Sequence, residues 1–321
     1  MPVYNASGHL PVALSALKGA IQPGTEIIVV DDASEDDSVH IAEAFGAQVI
    51  QQPGNLGPAA ARNRGAAGQT ADILCFVDAD VRVSAASFQG LIDTLQADAS
   101  LAAVFGAYDT RPFANGLVSH FRNLLHHYTH QTGNPEAATF WSGFGAIRRE
   151  AFESVGGFDE DGYTRRAMED VELGYQLRRA GFRIRLAPEW QCTHLKHWGL
   201  GEMARTDLLH RAIPWSRLIM DRRVMPDDLN VSLSQRLSVA LTLLLVPMLL
   251  AELWLLESLW IVLLALCAIL VLNRGWYRFL LCERGLGFTM AAFPLHLIYF
   301  AVSGLGFMAA WFFPRQGDRG S

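Results

Sequence analysis

The chain has 321 residues, 51% of them hydrophobic, and a formal net charge of -6 from 26 basic and 32 acidic side chains. That length allows one large domain or two, and the acidic balance excludes the strongly basic character of a nucleic-acid binder. The four cysteines, Cys75, Cys192, Cys267 and Cys282, show no disulfide or metal-ligand spacing and read as reduced filler residues.

Met1-Pro2-Val3-Tyr4-Asn5 reads as a turn with little strand before it, and helix-like sequence runs on to Ala20 until Gln22-Pro23-Gly24 breaks it. Residues 26–32 form an apolar strand ending in Asp31-Asp32, and a short helix with Val39, Ala42 and Phe45 on one face closes at Gly46. A strand over 47–51 leads into the Gly-rich loop Pro53-Gly54-Asn55-Leu56-Gly57, after which Pro58 opens a helix carrying Arg62, Asn63 and Arg64. Ile73-Leu74-Cys75-Phe76-Val77 is a buried parallel-type strand running into Asp78-Ala79-Asp80, and Phe88, Leu91, Ile92 and Leu95 mark the core face of the next helix. This alternation of strand and helix predicts a doubly wound α/β sheet, with ligands bound beyond the strands' carboxyl ends.

Past Tyr108 the pattern loosens: an amphipathic helix over 117–130, a strand over 138–148 containing Gly143 and Gly145, a helix over 169–180, and short strands over 183–186 and 191–195. The segment 199–224 mixes bases with aromatics and is expected to lie on a membrane surface. The stretches 237–272 and 287–313 are almost uncharged. A span needs ~20 apolar residues, so the first reads as two short spans joined at the acidic Glu252/Glu257 turn and the second as one. The expected organisation is a soluble domain over 1–198, an interfacial helical segment over 199–235, and about three transmembrane helices within 236–314, at roughly 237–254, 256–272 and 287–313. No signal peptide is evident near Met1, and basic residues precede the first span and fill the Arg274, Arg278, Arg284 connector. These features predict a multi-pass plasma-membrane protein with its soluble domain on the cytoplasmic face.

Three acidic pairs stand out: Asp31/Asp32, Asp78/Asp80 and Glu169/Asp170. Residues two apart on a strand face one way, so Asp78 and Asp80 can share an ion, and an incomplete carboxylate shell suits Mg2+ or Mn2+ completed by substrate phosphates. Arg62 can serve those phosphates. His126 and His130 have the spacing of a zinc pair but lack a third ligand and read as a polar helix face. Arg82 stands where a dehalogenase-type phosphatase motif wants Thr or Val.

The ordered set Pro2-Val3-Tyr4-Asn5, Val30-Asp31-Asp32-Ala33-Ser34, Asn55-Leu56-Gly57 with Ala61-Arg62-Asn63-Arg64-Gly65, Asp78-Ala79-Asp80, Gly156-Gly157-Phe158-Asp159 and Glu169-Asp170-Val171-Glu172 resembles the family 2 glycosyltransferases of GT-A fold. The resemblance covers roughly residues 1–200. It implies a GT-A (nucleotide-diphospho-sugar transferase, Rossmann-like) domain, a nucleotide-diphosphate sugar donor and inversion at the anomeric carbon. It places Pro2, Tyr4, Asn5, Asp31, Asp32, Arg62 and Asp78 around the nucleotide, and Asp80, with Asp78 and His194, at the metal; His197 lies close enough to compete with His194. Asp170 would be the base, Glu169 would orient the acceptor, and Trp141, Gly143, Arg211 and Trp215 would lie on the acceptor side. The implied partners are the sugar nucleotide, the membrane and a lipid-linked sugar or polyprenyl phosphate acceptor in cell-envelope glycan or glycolipid synthesis.

The chain departs from the family twice. Only Met1 precedes Pro-Val-Tyr-Asn where the family has a full apolar strand, which predicts a start upstream of Met1 or a truncated protein. Arg211-Ala212-Ile213-Pro214-Trp215 replaces the Gln-x-x-Arg-Trp of processive synthases, which predicts transfer of a single sugar. A processive synthase subunit and a catalytically silent membrane scaffold are the alternatives.

Overall fold

The computed structural model describes residues 1–160, 168–222, 232–255 and 259–313. In chain order the elements are β1 (Pro2–Val3), α1 (Leu10–Ala20), β2 (Ile28–Asp31), α2 (Ser38–Ala44), β3 (Gln48–Gln51), α3 (Pro58–Ala66), β4 (Ile73–Val77), β5 (Val81–Val83), α4 (Ala85–Ala97), β6 (Leu101–Tyr108), α5 (Leu117–Thr132), β7 (Phe144–Arg148), α6 (Arg149–Ser154), α7 (Glu169–Arg179) and β8 (Arg183–His194). Helices α8 (Leu200–Asp207), α9 (Ile213–Arg222), α10 (Leu233–Leu255), α11 (Trp260–Leu272) and α12 (Arg274–Phe312) follow, with a π-helical turn at Leu208–Ala212 between α8 and α9. Pro214 lacks the N–H that an α-helix would direct back to His210. The chain divides into two compact units, Met1–Asn115 with Asn123–His197, and Gly116–Arg122 with Trp198 onward.

In the first unit, β1, β2 and β3 pair in parallel in that order, as the alternating sequence requires. The doubly wound expectation stops there. The other five strands form a mixed sheet ordered β4-β7-β6-β8-β5, in which only β6 and β8 run parallel. The physical reason is the link between β4 and β5, which consists of Asp78, Ala79 and Asp80 alone. A parallel crossover needs a dozen or more residues, so β5 pairs antiparallel with β8 instead. The two short strands expected over 183–195 are one strand, whose pairing with β6 skips between Leu186 and Gln191, around Pro188. Pro188 has no N–H to give the ladder. The strand expected from 138 begins only at Phe144.

Buried Phe76, Phe105, Phe140, Phe152, Phe158, Leu173 and Ile184 fill the layer between this sheet and α7, and the predicted stripe Phe88, Leu91 and Leu95 of α4 packs on the other face with Val77, Val81 and Val104. Ser84 accepts a hydrogen bond from Ser87 N and fixes the start of α4.

In the second unit, Arg122 and Asp207 form a buried ion pair with a closest approach of 2.6 Å, and Phe121 packs on Trp276 and His296. Helices α10, over Leu233–Trp254, and α12 are long and apolar enough to cross a membrane, with mean hydropathies of 2.0 and 1.6. Leu244, Val246, Leu250, Leu253 and Trp254 of α10 are exposed. Of the span expected over 256–272, residues 256–258 lie outside the described residues, and α11 accounts for Trp260–Leu272. Glu252 turns inward, 2% exposed, and accepts a hydrogen bond from Ile261 N at the first turn of α11. Helix α12 breaks its path at Gly285, which sits at φ 77°.

Candidate active site

The carboxyl ends of β1 and β2 are stitched together by their own loops. Asn5 N donates to Ser34 Oγ, Glu35 N to Asn5 Oδ1, and Ala6 N to Ser38 Oγ, each within 2.9 Å. Asn5 and Ala33 hold positive φ of 48° and 63° in these turns, a conformation that non-glycine residues adopt where the surroundings over-determine it. Pro2 lies in β1 opposite Val30, and Tyr4 follows half-buried. Asp32 accepts from Leu56 N at 2.7 Å and Gly57 N at 2.9 Å, so it anchors the Gly-rich loop at the start of α3. Asp31 is 3% exposed; its Oδ2 accepts from Ser34 N, and its Oδ1 is buried without a hydrogen-bond partner among the described residues. A buried unpartnered carboxylate oxygen is costly and calls for a donor from outside.

Arg62 of α3 joins two of the acidic pairs. Its Nη2 donates to Asp78 Oδ1 and its Nη1 to Glu169 Oε1, both at 2.7 Å, and its guanidinium lies 5.5 Å from the centre of the Phe158 ring. The side chain is 5% exposed. Thus Arg62 is buried between two carboxylates, and Asp78 has a protein cation as its partner. The neighbouring Asn63 pins the Gly156-Gly157 turn: its Nδ2 donates to Phe158 O at 2.8 Å and its Oδ1 accepts from Phe158 N at 2.9 Å. Gly157 holds φ +73°, and a Cβ there would lie 2.6 Å from Asn63 Oδ1.

Asp80 and His194 are brought together by the β5–β8 pairing, in which Val81 faces His194 and Leu195 N donates to Asp80 O at 2.8 Å. His194 Nε2 lies 3.5 Å from Asp80 Oδ2. Burial alone would raise the Asp80 carboxyl, but the hydrogen bond and charge of His194, with Lys196 and His9, hold it below the usual carboxylate range. Among the described residues no three His, Cys, Asp or Glu side chains converge as a self-sufficient cation site. One carboxylate beside one imidazole is nevertheless a donor set that fits a divalent cation sharing its remaining positions with a ligand's oxygens.

Asp170 lies in the first turn of α7, and its Oδ1 accepts from Val171 N at 2.8 Å. Ser142 approaches its Oδ2 with N at 3.4 Å and Oγ at 3.5 Å. Burial and then the neighbouring Glu169 charge push its carboxyl up to about 7, against the opposing pull of Arg62. Two glycines set this geometry. A Cβ on Gly174 would lie 2.4 Å from Phe140 N, so only glycine lets α7 come this close to the loop before β7. A Cβ on Gly143 would lie 2.6 Å from the Trp141 indole, which folds over it, and Gly143 O accepts from Asp78 N at 3.1 Å. Loop 139–143 therefore connects Asp78 to Asp170.

Of the expected residues, Pro2, Tyr4, Asn5, Asp31, Asp32, Arg62, Asp78, Asp80, Trp141, Gly143, Glu169, Asp170 and His194 all belong to the first unit, and Arg211 and Trp215 to the second. Sequence reasoning missed Ser142 and Gly174. A glycine inside an otherwise regular helix was the available signal for the latter.

Three parallel strands ending in acids beside a mixed five-stranded sheet are the architecture of a GT-A fold. The fold matches that of the mannosyltransferase PcManGT from Pyrobaculum calidifontis, solved in complex with GDP-Man and Mn2+, at a TM-score of 0.58 over 97% of this chain and 84% of that one, with 19% identity. Residues 1–156, a little under half of the chain, match the family described as Glycosyl transferase family 2. It is 31% identical over 200 residues to the pre-mycofactocin glycosyltransferase of Mycobacterium tuberculosis, a match covering 59% of this chain and 40% of that protein's length. It is 26% identical over 230 residues to the O-antigen chain rhamnosyltransferase WbaN of Salmonella anatum, covering 67% of this chain and 72% of WbaN.

Proposed function

We propose that this protein transfers a sugar, with inversion, from a nucleotide-diphosphate sugar to a membrane-associated acceptor, a lipid-linked sugar or a polyprenyl phosphate, in cell-envelope glycan or glycolipid synthesis. The observation that carries the reading is the presence, in one unit, of an Asp80–His194 pair suited to a cation and an Asp170 carboxyl held at about 7. Ionised Asp170 takes the proton of an attacking hydroxyl, a role worth ~10²–10⁴-fold. The acceptor oxygen bonds to the anomeric carbon from the face opposite the departing diphosphate. Glu169, tied to Arg62, fixes the first turn of α7 and with it the aim of Asp170.

Asp80 and His194 would hold Mg2+ or Mn2+, which when bound offsets the charge growing on the diphosphate. The unpartnered Asp31 Oδ1 supports a hydrogen bond from the nucleobase or ribose; Pro2, Tyr4, Asn5, Asp32 and Asp78 complete the nucleotide side. Trp141 and Gly143 are assigned to the acceptor. The exposed apolar faces of α10 and α12 support a membrane location, and the basic Arg274, Arg278, Arg284 connector supports a multi-pass plasma-membrane arrangement with the catalytic domain cytoplasmic. The Mn2+ and GDP-Man of the Pyrobaculum calidifontis mannosyltransferase and the O-antigen role in the name of the Salmonella relative are consistent with these assignments.

The test is release of nucleoside diphosphate from a panel of sugar nucleotides by wild type and by Asp80→Asn, followed by transfer to polyprenyl phosphates, lipid-linked sugars and glycerolipids. Equal rates for the two proteins would overturn the enzyme reading.

A further inference from the structure

Between Asp80 and Asp170 stands a cluster of rings that the nucleotide and cation roles leave unused. Tyr108, at the end of β6, stacks on His194 with centroids 4.6 Å apart and planes 29° apart. It also lies 4.6 Å from His126 and 4.9 Å, edge-on, from Trp141. His126 of α5 lies 5.0 Å from the Trp141 ring. The cluster is therefore continuous from His194, the partner of Asp80, to Trp141, whose next residue Ser142 approaches Asp170.

The neighbouring histidines do structural work. His127 is buried with Nδ1 2.6 Å from Tyr108 O, and His130 is buried with Nδ1 3.1 Å from Gly106 O. The local core is supplied by fully buried Phe105, Phe140 and Phe144. Tyr108, His126 and Trp141, by contrast, are only half-buried. Gly143 supports the indole from one side at a distance no other residue would permit. The result is a partly open aromatic surface held in place by backbone beneath it.

Aromatic faces are electron-rich. The complementary ligand is a pyranose, whose C–H face is positively polarised and whose hydroxyls stand at the rim, where one can meet Asp170. A bare phosphate has no such face. We propose that Tyr108, His126 and Trp141 form the acceptor subsite and that the acceptor presents a sugar ring to it, which makes the acceptor a glycoside rather than a bare polyprenyl phosphate. This rests on the sugar-transfer reading above, from which it selects one acceptor class.

The test uses the full chain in detergent, the sugar nucleotide that it hydrolyses best, and two amphiphilic probes, a panel of octyl glycosides and farnesyl phosphate. Transfer to an octyl glycoside is expected, with Trp141→Ala and His126→Ala each raising the glycoside KM about 3- to 10-fold while the donor KM stays within about twofold. Trp141→Phe and His126→Phe, which keep a flat ring, should recover most of the affinity and control for misfolding. Unchanged glycoside KM in both alanine variants, or transfer to farnesyl phosphate alone, overturns the acceptor proposal and leaves sugar transfer standing. Failure of wild type to release nucleoside diphosphate from any donor overturns both.

Discussion

Arg62 and Glu169, 107 residues apart in the chain, meet through a 2.7 Å hydrogen bond, and the other amino group of the same guanidinium holds Asp78 at 2.7 Å. Helix α3, the end of β4 and the start of α7 are thus tied at one buried cation. Removing one partner of a buried pair leaves the remaining charge uncompensated, at a cost of about 3–5 kcal/mol. Arg62→Ala should lose stability of that order, whereas Asn63→Ala, which gives up neutral hydrogen bonds to Phe158, should lose about 1–3 kcal/mol. Thermal or denaturant melts of the purified variants check the ordering.

The Asp170 carboxyl, raised to about 7 by burial and by Glu169, sets a pH dependence whose sign differs between activity and stability. As a base it works ionised, so kcat/KM for transfer to a hydroxyl should fall about tenfold per pH unit below roughly pH 7. Its folded pKa lies above its unfolded value of about 3.9, so its contribution to stability is fully present below that value and is lost as pH rises through about 7. Asp170→Asn should therefore cut transfer ~10²–10⁴-fold while melting higher than wild type at pH 8. The acid limb should move upward in Arg62→Ala, since Arg62 opposes the shift. pH–rate profiles and melts at pH 5 and pH 8 test both signs.

Gly174 and Gly143 lie away from any proton transfer, yet each fixes a reacting group. Alanine at 174 would drive its Cβ to 2.4 Å from backbone at Phe140, which neither side can relieve by a rotamer change. Over-packing of this kind costs about 1–3 kcal/mol, and here it also displaces Asp170 from Ser142. Alanine at 143 meets the Trp141 side chain instead, which can swing away, so Gly143→Ala should keep more stability than Gly174→Ala and raise the acceptor KM. Melts paired with initial-rate kinetics separate the two.

What the sequence made legible follows from how local each signal is. Helix α4 declares itself through Phe88, Leu91 and Leu95, and β4 through its apolar run into Asp78, because periodicity and turn chemistry act over a few residues. The order of the second sheet was not legible, since nothing within β7 or β8 names its partner; the three-residue link from β4 to β5 was the one local clue. The family resemblance names the acidic pairs together, whereas the long-range contact of Arg62 with Glu169 leaves no trace near residue 62. The Tyr108, His126 and Trp141 cluster was invisible for the same reason: its members come from β6, α5 and the loop before β7.

The Asp80–His194 pair carries the last prediction. Two protein donors are too few to hold Mg2+ or Mn2+ tightly, since such ions take near-octahedral shells and rely on substrate phosphates for the rest. Cation and diphosphate should therefore bind co-operatively, and a ligand that binds only the folded state stabilises it by mass action, about 2.7 kcal/mol at a hundredfold excess over Kd. MnCl2 alone should barely move the melting temperature. MnCl2 together with a nucleoside diphosphate should raise it, EDTA should reverse the rise, and Asp80→Asn should abolish it. His194→Ala should keep a smaller rise at higher MnCl2, because Asp80 remains. A full-sized rise in Asp80→Asn would remove the cation role from this residue, and with it the division of labour between Asp80 at the leaving group and Asp170 at the acceptor.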